Sequence, residues 1–527
     1  MLNAKTIWQV GCMSKFIKKI VIVGGGSAGW LTAGILAAEH QANLATGLKI
    51  TLIESPDVST IGVGEGTWPT MRNTLQTIGI NEKEFIRCCD VAFKQGSQFI
   101  GWYNNQTNDK YYHPFVAPHG HGECNLHAYW KNNFPDSNFA SSLSFQPHLC
   151  DAGKAPKQFQ TPDYAAVANY GYHLNAKKFA DMLKKHCQNK LGVEFISDHV
   201  TEVNNNDLGL IESLSTKQSG DIEAELFIDC SGAKSILLGE HYQIPFESKK
   251  SVLFNDSAIA SQIPYANDNS PINSHTISTA TKSGWIWEIG LPTRKGIGHV
   301  YSSKHCSDED AKRVLQDYIK QQLPNISFDD ITFNQLAFNP GHRALFWHKN
   351  CVAVGMAAGF IEPLEASALA LVELSANMIS KELPAHQGLL DITAGRFNQR
   401  FLYRWQRIIE FLKLHYVLSS RTDSQYWIDN KSAESIPERL AELLTLWQYQ
   451  IPSYNDFTEI EEIFPSASYQ YVLYGMNFKT QLSSTTNQFL NPALATRFNN
   501  ELKELTTKYL NGLPSNREFI NFINKSN

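Results

Sequence analysis

A cluster of glycines near the start of the sequence is the first feature that could do chemistry. It fits the pattern G-x-G-x-x-G and consists of Gly24, Gly25, Gly26, Ser27, Ala28 and Gly29. In such a pattern the first glycine permits a tight turn, the second lets a pyrophosphate approach the backbone, and the third lets a helix pack close to a strand. The free N–H groups at the start of that helix attract phosphate oxygens. The pattern therefore predicts a dinucleotide site.

The residues around these glycines must form a strand–helix–strand unit to present that turn. Residues 17–23 are predicted to form a buried strand, residues 28–39 a helix, and residues 48–53 a second buried strand. Glu54 follows directly, where a carboxylate can bind ribose hydroxyls. This spacing is compatible with both NAD and FAD.

Two further glycine-rich turns favour FAD. Residues 61–67 read IGVGEGT and include Glu65, and residues 227–232 read FIDCSG, with Asp229 at the end of a predicted strand. Glycines this dense suit a backbone that lies against a flat cofactor. FAD enzymes of the hydroxylase fold use several such turns, whereas NAD enzymes usually need one.

Three other groups of side chains have residue types or spacing that could serve a binding or catalytic site. Lys94 lies among apolar or small neighbours, although a lone lysine is normally a surface residue. A partly desolvated ammonium group can position or carry a reactive species. Trp285 and Trp287 stand two apart on a predicted strand, which puts both rings on one face. His113 and Phe115 could stack on a flat substrate.

These residues lie within segments that resemble the flavin-dependent tryptophan halogenases. Residues 94–102 match K-x-G-x-x-F-x-x-W, residues 285–289 match W-x-W-x-I, and residues 354–368 are similar to the family's G-L-A-A-G-F-x-E-P-L-E-S/A-T block. Met356 stands where single-component flavin hydroxylases carry aspartate, and Gly290 departs from the family's proline. The resemblance covers nearly the whole chain.

The resemblance implies a reaction in which FADH2, oxygen and a halide ion yield hypohalous acid, which then halogenates an electron-rich arene. Lys94 would position or carry the halogen, and Glu365 would stabilise the cationic intermediate or accept its proton. Ser367 and Ala368 would hold the halide. The other implied positions are Trp285 and Trp287 for the tunnel wall; His113, Phe115 and Phe464 for the substrate; and Gly24, Gly26, Ser27, Ala28, Gly29, Glu54, Glu65, Val200, Met356 and Leu369 for FAD.

The substrate region departs from the members of the family that act on free tryptophan. The paired tyrosines expected near residues 452–454 are not found, and Glu459, Ile463 and Phe464 fall near the carboxylate and ring positions. A free amino acid needs partners for both of its charges, because a buried unpaired charge is costly. Free indole, tryptophan and a larger indole or pyrrole compound therefore remain alternatives, and the halide and the halogenated carbon stay open.

Two other functions fit parts of the pattern. One is a single-component flavin hydroxylase or epoxidase on the same fold, and the other is a catalytically silent FAD-binding protein. The co-occurrence of Lys94, the tryptophan pair and Glu365 counts against both.

Composition excludes several classes of partner. A net charge of −5 gives no electrostatic case for nucleic acid or an anionic membrane, and no stretch is apolar enough for a membrane span. The nine cysteines include no C-x-x-C pair, which argues against a metal site and for reduced thiols in the cytoplasm. No second nucleotide fingerprint is evident, so a separate NAD(P)H-dependent reductase is expected to supply FADH2. A homodimer is a further expectation.

The predicted fold class is α/β (α+β), with an FAD-binding Rossmann-like fold of the flavin monooxygenase type. Residues 1–13 are predicted to be an N-terminal extension, residues 14–390 the FAD-binding core, and residues 391–527 a helical substrate-binding region packed on it. Within the core, residues 103–163 are predicted to form loops on the substrate side. Apolar residues at helical spacing predict a long amphipathic helix over 392–418.

Overall fold

The structure, a computed structural model, describes residues 15–57, 64–459, 462–482 and 491–525. The predicted N-terminal extension lies outside the described residues, as do Ile61, Gly62 and Val63 of the second glycine-rich turn.

The strands are numbered here in chain order. They are β1 Lys19–Val23, β2 Lys49–Glu54, β3 Glu65–Gly66, β4 Ala92–Lys94, β5 Gly96–Ile100, β6 Lys110–Pro114, β7 Gly171–Leu174, β8 Glu194–Ser197, β9 Val200–Asn205, β10 Ile211–Thr216, β11 Asp221–Glu223, β12 Leu226–Asp229, β13 Phe246–Ser248, β14 Ser257–Ile263, β15 Thr276–Ala280, β16 Gly284–Gly290, β17 Lys295–Tyr301, β18 Asn334–Ala337, β19 Gly341–Arg343, β20 Trp347–His348, β21 Cys351–Ala353 and β22 Gly359–Phe360.

The α-helices follow the same scheme. They are α1 Ser27–Glu39, α2 Met71–Thr77, α3 Glu82–Cys88, α4 Leu126–Asn133, α5 Phe139–Leu143, α6 Gln146–Asp151, α7 Ala176–Lys190, α8 Asp308–Gln322, α9 Ser367–Lys381, α10 Leu390–Val417, α11 Gln425–Asp429, α12 Glu438–Trp447, α13 Ser466–Gly475, α14 Pro492–Gly512 and α15 Asn516–Lys525.

The first glycine-rich turn joins β1 to α1 at the carboxyl end of a six-stranded sheet. The strand order is β20-β21-β12-β1-β2-β8, and every pair except β20–β21 is parallel. Four of the five residues of β1 are buried, as expected where helices cover both faces of a parallel sheet. The predicted strand–helix–strand unit and the Rossmann-like fold are confirmed.

A second, seven-stranded sheet carries the tryptophan pair. Its order is β18-β14-β17-β16-β15-β5-β6, and only β15 and β5 run parallel. The last residue of β4 is Lys94, and β4 belongs to a smaller sheet of order β3-β7-β4. Since Gln95 alone separates β4 from β5, Lys94 stands where the chain passes from one sheet to the next.

The long helix predicted over 392–418 is confirmed as α10. Its apolar residues Phe397, Phe401, Trp405 and Ile408 recur at helical spacing, and all four are buried. One hydrophobic core runs from Ile17 to Ile523, so the helices that follow residue 390 pack on the same core as the sheets. Strands and helices together confirm the mixed α/β fold class. Among the helices of the described residues, none has both the length and the apolar character needed to cross a bilayer.

The region predicted as substrate-side loops, residues 103–163, is partly regular structure. It contains β6 and the helices α4, α5 and α6. Asn125 and Asn138, whose residue type suggests loops, are N-caps that accept hydrogen bonds from the backbone N–H groups of Ala128 and Ala140. Helices of 8, 5 and 6 residues are too short to show a periodic pattern. The prediction of loops alone is therefore wrong for these segments.

Candidate active site

Lys94 is a buried lysine with an unusual environment. Its side chain is 1% exposed, and Nζ lies 5.4 Å from the centroid of the Phe115 ring. Within the described residues, no hydrogen bond or ion pair joins Nζ to another side chain. Burial lowers the pKa of Lys94 to about 8, although the charge of Glu365 acts in the opposite direction. The group can therefore exchange its proton near neutral pH.

Gly66 brings the second glycine-rich turn against this lysine. A Cβ atom at Gly66 would lie 3.3 Å from Nζ of Lys94 and 3.2 Å from Cβ of Ala366. Any side chain here would therefore press on both neighbours. Because Gly66 has no side chain, strand β3, Lys94 and the turn at residues 365–366 can pack against one another.

That turn places Glu365 in a strained conformation. Glu365 has φ 64° and Ala366 has φ 55°, so two consecutive residues other than glycine occupy the left-handed region, which costs roughly 1–2 kcal/mol per residue. Strain of this kind persists only where the surroundings enforce it, and it clusters at functional sites. Here Trp68 contributes, because its Nε1 donates a 2.7 Å hydrogen bond to the backbone oxygen of Glu365.

Two imidazoles contact the Glu365 carboxylate. Nδ1 of His113 donates to Oε1 at 2.8 Å, and Nε2 of His415 lies 3.4 Å from the same oxygen. The far nitrogens are also held: Nε2 of His113 lies 2.9 Å from Oγ of Ser468, and Nδ1 of His415 lies 2.6 Å from the hydroxyl of Tyr111. Burial by itself would raise the pKa of Glu365, but the two imidazoles outweigh it and hold that pKa well below the usual range. Glu365 is therefore a carboxylate at neutral pH.

The start of helix α9 offers free backbone donors beside this carboxylate. Helix α9 begins at Ser367, and its N-cap Ala366 provides no side-chain hydrogen bond. Ser367 is buried and Ala368 is exposed. Uncapped N–H groups at a helix start carry partial positive charge and suit an anion. The arrangement has the polarity that the predicted halide position requires.

Aromatic rings surround the side of the site that faces Phe464. The Phe464 ring stacks on Phe411 with centroids 3.8 Å apart, and it lies 5.2 Å from Trp68 and 6.4 Å from His113. Phe464 is buried, whereas Phe115 is half-buried. Two residues predicted nearby lie further out: Glu459 is exposed and Ile463 is half-buried.

The glycine fingerprint fits a dinucleotide. Gly24 has φ 116°, and a Cβ there would lie 2.1 Å from the carbonyl oxygen of Cys230, while a Cβ at Gly29 would lie 1.9 Å from the carbonyl oxygen of Gly24. A Cβ at Gly26 would meet nothing within 4 Å, which leaves open space in front of the turn. Helix α1 has no side-chain cap at its start. The backbone is therefore accessible to phosphate oxygens at the position that the sequence predicts.

Three other residues predicted to contact the cofactor, Glu54, Val200 and Met356, lie on different elements of the fold. The Glu54 carboxylate ends β2 and accepts a 2.7 Å hydrogen bond from Nζ of Lys184. Val200, half-buried, begins β9. A Cβ at Gly355 would lie 2.8 Å from Cβ of Ala28, so the turn that carries Met356 touches the start of α1.

Met356 and the two remaining predicted cofactor residues, Leu369 and Glu65, differ in burial. Met356 is 39% exposed, whereas Leu369 is buried in α9. Glu65 is half-buried in β3, and its burial raises the pKa of the carboxyl group to about 7.

The two tryptophans of β16 share one face of the strand but differ in their contacts. Nε1 of Trp285 donates a 2.7 Å hydrogen bond to Oε2 of Glu362. The Trp287 ring lies over Gly298, where a Cβ would come within 2.0 Å of it. The ring centroids are 6.4 Å apart.

Two contacts of Glu365 were not predicted from the sequence. His415 lies beside the carboxylate, and Trp68 donates to the backbone oxygen. His415 follows Phe411 by four residues, so the helical spacing alone indicates that it lies on the buried face of the long helix. Nothing in the local sequence predicts the contact of Trp68 with a carbonyl 297 residues away.

Comparisons with known proteins point to one family. The family model for tryptophan halogenases matches residues 19–491. Tryptophan 6-halogenase SttH from Streptomyces toxytricini is 30% identical over 523 residues, which are 95% of this chain and 97% of SttH. The crystal structure of the tryptophan halogenase from Shewanella frigidimarina has 52% identity and a TM-score of 0.93, and the match covers 98% of this chain and 99% of that one. Xcc4156, a flavin-dependent halogenase from Xanthomonas campestris, has 27% identity and a TM-score of 0.84 over 96% of this chain and 98% of its own.

These matches cover the glycine fingerprint, Lys94, the tryptophan pair and Glu365 together. The family model alone spans well over half of the chain. The resemblance inferred from the sequence is thus confirmed, and with it the dependence on a flavin, the use of a halide and the aromatic class of substrate. The chain belongs to the tryptophan halogenase family and is a flavin-dependent halogenase.

Proposed function

We propose that this chain halogenates an electron-rich ring of the class of indole and tryptophan, with reduced FAD, oxygen and a halide ion. One observation carries the proposal: a buried ammonium group with no partner in the described part of the chain lies beside Phe115 and the turn that carries Glu365. A buried charge without a partner lowers stability. Perturbed groups of this kind are typical of functional sites.

The cofactor would be held by the glycine fingerprint and the elements around it. Bound FAD, once reduced, would supply the two electrons that bring oxygen to the peroxide level, at which it can take two further electrons from the halide and yield hypohalous acid and water. The residues proposed to contact it are Gly24, Gly26, Ser27, Ala28, Gly29, Glu54, Glu65, Val200, Met356 and Leu369. Backbone N–H groups at Ser367 and Ala368 would hold the halide. Trp285 and Trp287 would form the wall along which hypohalous acid moves to Lys94.

Lys94 is proposed to activate the hypohalous acid. Its ammonium donates a hydrogen bond to the oxygen of the acid and passes a proton to the departing hydroxide, which leaves as water. The halogen is transferred to the ring carbon that faces Lys94. A pKa of about 8 also permits the unprotonated amine to carry the halogen, and the two routes differ in their dependence on pH.

Glu365 is proposed to receive the ring proton. The arene becomes cationic when the halogen adds, and a carboxylate held ionised by two imidazoles stabilises that charge. Loss of the ring proton to Glu365 restores aromaticity. Transfer of this proton back to Lys94 returns both groups to their starting states, so arene and hypohalous acid yield haloarene and water.

His113, Phe115 and Phe464 are proposed to hold the substrate ring. The relatives SttH and the Shewanella frigidimarina enzyme are described as tryptophan halogenases, which supports an indole ring as substrate. Glu459, the predicted contact for a charged group of the amino acid, is exposed. Free indole therefore stays beside tryptophan as a substrate to be tested.

We further propose a separate flavin reductase as the source of FADH2, a cytoplasmic location and a homodimer. The eight cysteines that the structure describes are free thiols, which supports a reducing compartment.

The proposal is tested by supplying FAD, a reductase, NADH and bromide or chloride to the enzyme with indole and tryptophan in separate reactions. Mass spectrometry would show the halogen isotope pattern in the arene of at least one reaction, and omission of halide would abolish it. Lys94→Ala is the catalytic control. Oxygenated product without halide would contradict the proposal in favour of a hydroxylase, and absence of any turnover would favour a silent flavoprotein.

A further inference from the structure

Glu362 is a buried carboxylate with an asymmetric set of partners. Only 1% of the surface of Glu362 is exposed. Oε2 accepts hydrogen bonds from Nδ2 of Asn255, Nε1 of Trp285 and the hydroxyl of Tyr416, each at 2.7 Å. Oε1 is buried and has no hydrogen-bond partner among the described residues. Three donors converging on one oxygen fix that oxygen strongly.

A second buried lysine balances this carboxylate. Lys413 is completely buried, and its Nζ donates a 3.0 Å hydrogen bond to Oδ1 of Asn430. Burial lowers the pKa of Lys413 to about 7, and the charge of Glu362 opposes this effect. Burial raises the pKa of Glu362, while Tyr416, Trp285, Asn255 and Lys413 act in the opposite direction.

The cluster connects three elements of the candidate active site. Glu362 lies three residues before Glu365, Trp285 belongs to the strand with the tryptophan pair, and Tyr416 follows His415 directly on α10. Apolar packing is non-directional and by itself does not select one orientation of the indole N–H. A hydrogen bond from this single N–H to a carboxylate oxygen selects that orientation.

We propose that Glu362 is a positioning residue that fixes the Trp285 indole in the wall between the flavin site and Lys94. The inference rests on the proposed function, because Trp285 is a wall residue only if hypohalous acid passes to Lys94. A loosened Trp285 would let the oxidant escape before it reaches the arene. The predicted consequence is a lower yield of haloarene per NADH consumed, with little change in the KM for the arene.

The first test compares Glu362→Gln with Glu82→Gln. Glu82 is also 1% exposed and accepts hydrogen bonds from a buried lysine and two tyrosines, but its hydrogen bonds reach none of Trp285, Asn255 and Tyr416. We expect Glu362→Gln to lower haloarene per NADH about fivefold, which corresponds to roughly 1 kcal/mol, and to raise free hypohalous acid, measured with a scavenger. Glu82→Gln should change stability but leave this ratio as in the wild type.

A double-mutant cycle separates positioning from general stability. Trp285→Phe keeps an aromatic ring but removes the N–H donor, so Glu362→Gln should lower the yield no further in that background. Additive losses would overturn the inference. Tyr416→Phe, which removes one of the three donors without altering Trp285, serves as a milder variant if Glu362→Gln does not fold, and the inference requires it to lower the yield as well.

The outcomes for the two proposals are distinct. A wild-type enzyme that produces no haloarene would contradict the proposed function. A well-coupled wild type whose yield per NADH is matched by Glu362→Gln would overturn the role of Glu362 alone.

Discussion

Two buried lysines of this chain meet opposite environments. Nζ of Lys157 donates to Oε2 of Glu82 at 2.6 Å and to the hydroxyl of Tyr170 at 3.2 Å, and the other oxygen of Glu82 accepts from Tyr170 and Tyr172. Lys94 is equally buried, at 1% exposure, and has no such partner among the described residues. A buried lysine of this chain is thus paired with a carboxylate and a tyrosine hydroxyl at Lys157, whereas Lys94 has neither kind of partner among the described residues.

We propose that the difference separates a structural environment, at Lys157, from a functional one, at Lys94. A satisfied polar network holds neighbouring segments in one arrangement, and the Glu82 cluster joins α3 to the chain around Lys157 and Tyr164. A buried ammonium without a hydrogen-bond partner lowers the stability of the fold. Such perturbed groups are typical of sites that bind a ligand or carry out catalysis. Variants at the two lysines should therefore change activity and stability in opposite ways.

The largest expected effect is that of Lys94→Met. Loss of the group proposed to activate hypohalous acid should lower the rate of arene halogenation about 10²- to 10⁴-fold. The same variant should be more stable than the wild type by up to about 3 kcal/mol at pH 7, because lowering a lysine pKa from 10.5 to about 8 reflects a desolvation cost of that size. Product assays and urea unfolding measure the two quantities.

Lys157→Met is the matched control. It should lose about 3–5 kcal/mol of stability, since it leaves a buried carboxylate unpaired, yet retain its rate per folded molecule. A destabilised Lys94→Met, or an inactive but folded Lys157→Met, would contradict the comparison.

The second effect concerns the carboxylates. Glu365→Gln should lower the halogenation rate about 10²-fold, because an amide neither accepts the ring proton nor stabilises a cation as a carboxylate does. The KM for the arene should change little, since the shape of the side chain is preserved. Steady-state kinetics of the folded variant decide this, and a rate within a factor of two of the wild type would remove Glu365 from the proposed mechanism.

The third effect is the dependence on pH. The pKa of Lys94 is lowered from 10.5 to about 8. The stability lost by burying its charge is therefore largest below about pH 8, and this loss fades as the pH rises from about 8 towards 10.5. If the ammonium activates hypohalous acid, halogenation should fall as the pH rises through about 8, whereas a haloamine route predicts a rise. Because the pKa of Glu365 is held well below its usual range, this carboxylate should cause no loss of activity down to pH 5.

The smallest effect is expected at Gly66. A Cβ there would lie 3.3 Å from Nζ of Lys94, so Gly66→Ala should shift the ammonium by a few tenths of an ångström and lower the rate about 2- to 5-fold. Gly395→Ala, where a Cβ meets nothing within 4 Å, is the control and should leave the rate unchanged. Rates measured at saturating arene would show the difference, and equal rates for both variants would mean that Lys94 tolerates displacement.

The sequence predicts the strand–helix–strand unit with the glycine fingerprint better than the turn at residues 365–366. The fingerprint at residues 24–29, the strand ending at Glu54 and helix α10 all follow from local patterns of apolar residues and glycines. The left-handed conformations of Glu365 and Ala366 do not, because neither residue type favours that region. They depend on contacts made after folding, such as the hydrogen bond from Trp68.

The long-range contacts of the site explain the remaining differences. His415 and Glu362 act through partners that are distant in sequence, so their residue types alone suggest only a core histidine and a conventional glutamate. Two of the three short helices in residues 103–163, α4 and α5, were not predicted because they are capped by asparagines, which also occur in loops.

The most direct test of the role of Lys94 is a partition experiment with a scavenger of free hypohalous acid. Wild type and Lys94→Ala would each be supplied with FADH2, oxygen, bromide, arene and scavenger, and the bromine recovered in arene and in scavenger would be measured. We predict that the wild type brominates the arene with little loss to the scavenger, whereas Lys94→Ala still consumes FADH2 but brominates only the scavenger. Equal partition in the two proteins would contradict a guided transfer through Lys94.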